Sequence, residues 1–509
     1  MVRNFGGSRC CILSATVLLW GMTYTWRKLL LVLAGSLAAL TSFGEDRPNI
    51  LFIFSDDQCY ETIRAFEKTD IDTPNLDKLV ERGTTFTHAY NMGSWSGAVC
   101  VASRHMLNTG AFVWNAERLS QGLGGKAKAS AGTAAGIPNF QEEGLMWSQL
   151  MSQSGYLTYF TGKWHVRADA NKIFDVARNV RGGMPQQTKT GYDRPVQGVP
   201  DAWRPFDRSF GGFWEGGKHW SEVVGDDACD FLSEAKADEN PFFMYIAFNA
   251  PHDPRQAPKE FVDRYPLDRI MIPENYQPDY PDRKLIDNPV TLRDERLSPV
   301  PRTEYAVQVH RQEYYAIITH MDEQVGRILD ALEKSGKADN TYIVFTSDHG
   351  LAVGHHGFMG KQNLYDHSTH VPFMIVGPDI EAGKKMDTPI YLQDVMPTSL
   401  ELAGIEKPDH VEFQSLLPIL AGESKGYESI YGAYLKSQRS ITKDGFKLIV
   451  YPKVPRVILY DLENDPMEMN DLAEAKQSKV LSLFSSLLAL QDELNDTVDL
   501  KIVFPHLVK

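Results

Sequence analysis

The 509-residue chain is poor in cysteine, with five in all, and has no acidic residue before Glu45. Cys10 and Cys11 fall in the amino-terminal segment, which leaves Cys59, Cys100 and Cys229 for the rest of the chain. Three thiols are too few for a disulfide scaffold, and an odd number leaves one spare, or not a thiol in the working protein. A basic surplus is also missing. Against 66 Asp and Glu stand 52 Lys and Arg, a formal charge of −14, which disfavours nucleic acid and other polyanions at long range. An anionic substrate therefore needs a local cationic pocket. Internal repeats are absent, and so is an uninterrupted apolar run long enough to span a bilayer comfortably, so no stable membrane insertion is expected.

What the amino terminus does hold is Arg27-Lys28, the apolar run "LLLVLAGSLAAL" (29–40), and the small residues Ser42 and Gly44. That order reads as an export leader over residues 1–44. A second apolar block, "CCILSATVLLWGM" (10–22), makes Met22 an alternative start. Removing 1–44 takes away Arg3, Arg9, Arg27 and Lys28 and moves the formal charge from −14 to −18. The expected location is periplasmic or extracellular.

Short apolar runs alternate with helical patterns. "NILFIF" (49–54), "YLTYF" (156–160), "FFMYIAF" (242–248) and "TYIVFT" (341–346) read as buried strands. Between them, "TPNLDKLVERG" (73–83) has the cap, proline and glycine signals of a helix, and about 313–335 repeats apolar residues at helical spacing. The class is α/β, with a large, mostly parallel central sheet. Residues 180–205 and 254–302 show no period and read as long loops that shape a cleft. From about 420 the pattern changes to "SITKDGFKLIVY" (440–451), "VILYDLEND" (457–465) and a helix near 479–494. We expect a catalytic domain over 45–420 and a smaller α+β subdomain over 421–509.

Each strand candidate ends in a polar cluster: "SDDQ", "TGKWH", "NAPHDP" and "SDHG". Ligands in open α/β sheets bind at the carboxyl ends of strands, so these clusters should converge. Asp56, Asp57, Asp348 and His349 would crowd three carboxylates and an imidazole, which a divalent cation neutralises, and oxygen-rich ligation suits Ca²⁺ or Mg²⁺. Lys163, His165, His252 and Lys361 add positive charge and protons at the same edge. Taken singly, each has a structural reading: a helix cap for Asp-Asp, a turn for Asp-His-Gly, a packing role for His165 and solvated lysines. Cys100 lies in "SGAVCVASRHMLNTG" (96–110), in a polar turn leading into a short helix at 103–108, where helix amides and Arg104 would stabilise negative charge. A buried small hydrophobe is the alternative for Cys100.

"CVASR" followed by "LNTG" resembles the signature of the type I sulfatases, in which a cysteine is oxidised to formylglycine, and the motif style is that of iduronate- and choline-sulfatase-like members. The resemblance spans roughly 47–475 and includes "LYDLENDPMEMNDL" (459–472). Ala102 stands where proline is commonest, and His349 where many members have asparagine. The resemblance implies an alkaline-phosphatase-like sandwich with a smaller carboxy-terminal sheet. It implies Asp56, Asp57, Asp348, His349 and the modified Cys100 as ligands of one Ca²⁺, with Mg²⁺ as the alternative. It further implies catalysis by Cys100 (as 3-oxoalanine), Arg104, Lys163, His165, His252 and Lys361, and a transient partner, a formylglycine-generating enzyme or equivalent maturase, acting before folding buries the motif. The expected reaction is hydrolysis of a sulfate ester on a sulfated carbohydrate. A phosphomonoester or phosphonate hydrolase, or an unmatured secreted binding protein, are the rival readings. For the sugar, His219, Trp220, His356 and His370, with Trp95, Trp214, His355 and His367, would form an aromatic and imidazole-rich pocket; the alternative places the tryptophans in the core and the histidines on surface loops.

Overall fold

A computed structural model describes residues 47–123, 136–183 and 188–508. The expected leader, 1–44, and the alternative start at Met22 lie outside the described residues. Strand β1 (Asn49–Ser55) is buried from end to end. Its side chains alternate between two cores, with Ile50, Phe52 and Phe54 on one face and Leu51 and Ile53 on the other. A strand apolar on both faces needs cover on both, which is the environment of a parallel sheet flanked by helices.

The remaining strands of this sheet are β2 (Thr84–Phe86), β3 (Leu157–Lys163), β4 (Val176–Arg181), β5 (Phe242–Ala247), β6 (Thr341–Ser347), β7 (Phe373–Val376) and β8 (Lys384–Met386). Their spatial order is β8-β2-β7-β6-β1-β5-β3-β4. Strand β1 pairs in parallel with both β6 and β5, and β7 runs antiparallel to both of its neighbours. A second sheet is built from β9 (Ile430–Tyr434), β10 (Gln438–Lys443), β11 (Phe446–Tyr451) and β12 (Arg456–Asp461), in the order β12-β11-β10-β9. Its free edge is taken by Gly93–Ser94, far earlier in the chain.

Five helices matter here: α1 (Pro74–Arg82), α2 (Val99–Thr109), α3 (Trp220–Ala235), α4 (Glu304–Ser335) and α5 (Gln477–Glu493). Helices α1, α3 and α4 cover one sheet face, while α2 and α5 belong to the core on the other. The α/β class with a large, mostly parallel sheet therefore holds.

Three local expectations change. Helix α2 begins at Val99, not at 103, so Cys100 sits in its first turn, and Gly110 closes it with φ 69°. Helix α4 begins nine residues before the expected start, because Thr303 accepts the amide of Ala306 and opens the helix upstream of the strong apolar period. Thr73 precedes α1 without capping it: its hydroxyl donates to Asp77 and accepts the amide of Arg64. Asp322, on α4, instead accepts the first amides of α1, from Asn75 and Leu76 at 3.1 and 2.7 Å.

Candidate active site

The carboxyl ends of β1, β3 and β6 and the start of α2 meet at one point. Asp56 and Asp57 follow β1, Lys163 ends β3, Asp348 and His349 follow β6, and Cys100 lies in the first turn of α2. Asp57 holds a positive φ of 71°, fixed by its amide donating to Asp348 Oδ1 at 3.1 Å and its carbonyl accepting from the Tyr314 hydroxyl at 2.5 Å. The side chain is thereby turned inward. His252, from the loop after β5, and Lys361, from the loop after β6, complete the group, and all of these residues are buried.

Lys361 Nζ donates to Asp57 Oδ1 and Oδ2 at 2.8 and 2.7 Å, lies 3.0 Å from His252 Nε2, and reaches Cys100 Sγ at 3.3 Å. Lys163 is paired with Asp56. Arg104 Nε donates to Asp348 Oδ2 at 3.0 Å and its Nη1 to the Lys163 carbonyl at 2.7 Å, while Nη2 makes no hydrogen bond among the described residues and stands 3.9 Å from Asp56 Oδ1. His349 Nε2 stands 3.1 Å from Asp57 Oδ1 and 3.5 Å from Cys100 Sγ. His165, half-buried at positive φ (54°), packs against Gly183, where a Cβ would meet its ring at 2.4 Å.

The electrostatics follow from this crowding. Burial resists ionisation of Cys100, yet Lys163 and Lys361, with hydrogen bonds from His165 and His252, hold its thiol well below the ordinary range. Asp56 is pushed well up by burial and by the negative charges of Asp348 and Cys100, despite Lys163. Asp348, although buried, is held down to about 2, with His349 and Arg104 among the charges that keep it ionised. Burial opposes protonation of His252, but the carboxylates of Asp57 and Asp253 win and raise it. Burial lowers His165.

Among the described residues, two sets of ligand atoms lie close enough to share one cation: Asp56, Cys100, Asp348 and His349, and Asp56, Asp57, Cys100 and His252. Asp56 Oδ1 is buried with no hydrogen-bond partner among the described residues. An orphaned carboxylate oxygen among further carboxylates and an imidazole fits a hard divalent ion, and an oxygen at position 100 would suit it better than sulfur.

Asp253, Arg293, Asp294 and Tyr192 also reach this site, and the sequence reading names none of them individually. Asp253 Oδ1 lies 3.0 Å from His252 Nδ1, and its Oδ2 accepts from the Tyr192 hydroxyl at 2.7 Å. Arg293 Nη2 lies 3.3 Å from His252 Nε2, and Asp294 accepts from Gln362 at 2.8 Å. Asp253 sits inside "NAPHDP", one residue past His252; the other three lie in period-free loops.

The expected sugar-pocket residues lie elsewhere. His219 is buried, accepts the Ser221 amide at the start of α3, donates to the Gln256 carbonyl and stacks on Phe213. It is a capping and core residue because "FWEGGKHW" folds as a tight hairpin into α3. Trp214 is buried, and Trp220 lies under the Arg181 guanidinium at 3.7 Å. Trp95 meets His105 edge-on. His356 is buried against Tyr365, ring centroids 4.0 Å apart. His355, His367 and His370 line a separate cleft of about 560 Å³ whose walls include none of Asp56, Asp57, Cys100, Lys163, His252 and Lys361.

A family model described as Sulfatase matches residues 48–405, and one described as N-sulphoglucosamine sulphohydrolase, C-terminal, matches 354–495. The chain is 28% identical over 500 residues to an N-acetylglucosamine-6-O-sulfatase of Bacteroides thetaiotaomicron, covering 84% of this chain and 82% of that one. A solved structure described as BT4656 in complex with its substrate D-glucosamine-2-N,6-O-disulfate superposes with TM-score 0.67 at 24% identity, covering 90% of this chain and all of that one. The phosphonate monoester hydrolase of Silicibacter pomeroyi superposes with TM-score 0.66 at 18% identity, covering 89% and 96%. Both superpositions speak for the fold alone, and the fold by itself does not choose between their chemistries.

Proposed function

We propose, from the premise that this chain belongs to the sulfatase family, that it hydrolyses sulfate esters on a sulfated carbohydrate through a formylglycine made from Cys100. Enzymatic hydrolysis of sulfate esters follows from the family; the sugar, the modified residue and the individual roles are our reading. The observation that carries it is the position of Cys100 in the first turn of α2, between two buried lysines and against three carboxylates. A relative of 28% identity named for a sulfated amino sugar supports the carbohydrate class.

Asp56, Asp57, Asp348, His349 and residue 100 would hold one divalent cation, Ca²⁺ by preference for oxygen ligands. When bound, that cation supplies positive charge beside the nucleophile and the sulfate. A maturase and its oxidant would convert the Cys100 thiol to an aldehyde, which adds water to give a gem-diol. One hydroxyl gives its proton to Asp57, whose Oδ1 lies 3.9 Å from the Cys100 sulfur, and its oxygen attacks sulfur in line with the leaving oxygen as the bond from sulfur to that oxygen breaks. Lys163 and Lys361 hold sulfate oxygens, and Arg104, its Nε and Nη1 already committed to Asp348 and the Lys163 carbonyl, acts through its charge and through the carboxylate it orients.

His252 donates its Nε2 proton to the departing alcohol, and Asp253 behind Nδ1 keeps that edge of the ring facing the site. His165 then takes the proton of the second hydroxyl. The carbon–oxygen bond to sulfate breaks and the aldehyde returns.

The mass of the Cys100 peptide from protein made in its native host tests the first step. An aldehyde or its hydrate is expected, and an unmodified thiol in active protein would overturn the mechanism. Matched 4-nitrophenyl sulfate and phosphate test the reaction class: release from the sulfate ester is expected to dominate, and dominance of the phosphate would move the assignment to the phosphonate-hydrolase branch of the fold.

A further inference from the structure

Apart from His349, which faces Cys100, the histidines between β6 and β7 lie away from the catalytic cluster, yet they are not scattered on the surface either. His355, His367 and His370 line the cleft of about 560 Å³, together with Tyr60, Tyr90 and the carboxylate of Glu61. That volume lies within the usual range of small-molecule sites. Like the catalytic cluster, the cleft is formed by segments that follow β1 and β6. The wall between them includes Cys59, which lines the cleft while its thiol donates to the Leu351 carbonyl at 2.9 Å, two residues from the inward-turned Asp57.

Three features specify what the cleft takes. Its arginines have no free charge to offer: Arg311 is bound to Glu61 at 2.8 Å and Arg269 to Asp70 at 2.6 Å. Carboxylates outnumber cations along the walls, so a sulfate or other anion is disfavoured. The imidazoles of His367 and His370 are uncharged, since burial holds His370 down to about 4 and, with His355 and His356 nearby, holds His367 well below its ordinary value.

A neutral imidazole both donates and accepts, and His367 does neither among the described residues: its Nδ1 and Nε2 are both buried without a hydrogen-bond partner there. Two buried polar atoms left unpaired cost free energy that a hydroxyl-bearing ligand recovers. Beside them, Tyr60 is stacked between Phe66 and His370, with ring centroids 4.5 and 4.1 Å away, a rigid aromatic wall with phenol at its edge. Tyr90 approaches the same imidazole at 5.2 Å.

We infer that this cleft is a second, non-catalytic binding site for an uncharged, hydroxyl-rich sugar unit, held by the unpartnered nitrogens of His367 and the Tyr60–His370 wall. It is independent of the reaction at Cys100.

Saturation-transfer NMR on the full chain with galactose, glucose, xylose, L-fucose, N-acetylglucosamine, lactose and cellobiose tests it. Transfer to at least one of these sugars is expected, unchanged in Lys163→Ala. The binding should weaken by about tenfold or more in His367→Asn and in Lys68→Trp, as loss of a buried hydrogen bond or blocking of the mouth demands. Lys68 is exposed at the rim, so its substitution leaves the core untouched, and thermal unfolding of both variants verifies the fold. Absence of transfer from every sugar would overturn the site. Transfer that disappears in Lys163→Ala, or that persists undiminished in Lys68→Trp, would place the sugar elsewhere and overturn it as well. Loss of aryl sulfatase activity with sugar binding intact would count against the proposed reaction and not against the cleft.

Discussion

At the scale of single residues, His252 is the most exacting test of the proposed chemistry. Its Nδ1 faces Asp253 and its Nε2 faces Lys361, so the ring is fixed at both ends. If it protonates the leaving alcohol, His252→Ala should cost about 10²–10⁴ in kcat on a sugar sulfate, because an alkoxide needs the proton. On 4-nitrophenyl sulfate, whose phenolate leaves unaided, the loss should be far smaller. Equal losses in the two kcat measurements would make His252 a structural residue. Much of this site was legible in the sequence, since Asp56, Asp57, Cys100, Lys163, His252, Asp348, His349 and Lys361 each follow a strand or open a helix, where chain polarity brings them together. Arg293, Asp294 and Tyr192 were not, because their approach to the site depends on loop paths that leave no periodic trace, and Asp253 lay unremarked inside the post-strand cluster that holds His252. Of the expected sugar-pocket histidines, His219 and His356 pack into the core and His355, His367 and His370 line a cleft apart from Cys100, because composition picks out a polar, aromatic segment but does not say which side of a loop it faces.

At the scale of elements, β3 shows how backbone geometry delivers a catalytic group. Its pairing with β4 slips between Thr161 and Gly162, and Gly162 takes φ 97° so that Lys163 emerges toward Asp56. A Cβ at Gly162 would lie 1.9 Å from the Ala247 carbonyl of β5. Gly162→Ala should therefore destabilise the fold by roughly 2–4 kcal/mol and reduce kcat together, by urea unfolding and steady-state assay. Wild-type stability in that variant would show that the strand can shift. Strand positions and helix types were readable from apolar period, whereas the early starts of α2 and α4 were not, because capping and tertiary cover extend a helix beyond its strongest stripe.

A second element couples stability to pH. Asp394, at the start of the helix Val395–Leu402, is raised by burial to about 7 despite accepting bonds from the Gln414 and Tyr391 amides and the Tyr427 hydroxyl. A carboxyl with a raised folded pKa binds its proton more tightly in the native state. Its contribution to stability is complete below the unfolded value of 3.8 and is lost as pH rises through about 7. Unfolding free energy should fall across that window, and Asp394→Asn should flatten the slope by about one proton. An unchanged slope in Asp394→Asn would remove Asp394 as its source.

At the scale of the whole molecule, one apolar cluster contains Phe52 of β1, Leu448 of β11 and both Phe484 and Leu487 of α5. We propose that the division near residue 420 marks a change of layer and not an independently folding piece. A chain stopped at residue 420 should then be recovered in the insoluble fraction, whereas a soluble fragment with cooperative thermal unfolding would establish a separate domain. The placement of charge across the molecule has a kinetic consequence. Arg104 and Lys163 are wholly enclosed and Lys361 is only 3% exposed, while the chain as a whole carries −14. A polyanion diffusing toward the protein meets the surface field before it meets the three cations. Added salt screens that field over about 10 Å or less and leaves the enclosed cations largely untouched. Encounter with a sulfated polymer should accordingly quicken as ionic strength rises, the reverse of ordinary electrostatic steering, while a small neutral-bodied sulfate ester should feel the change less.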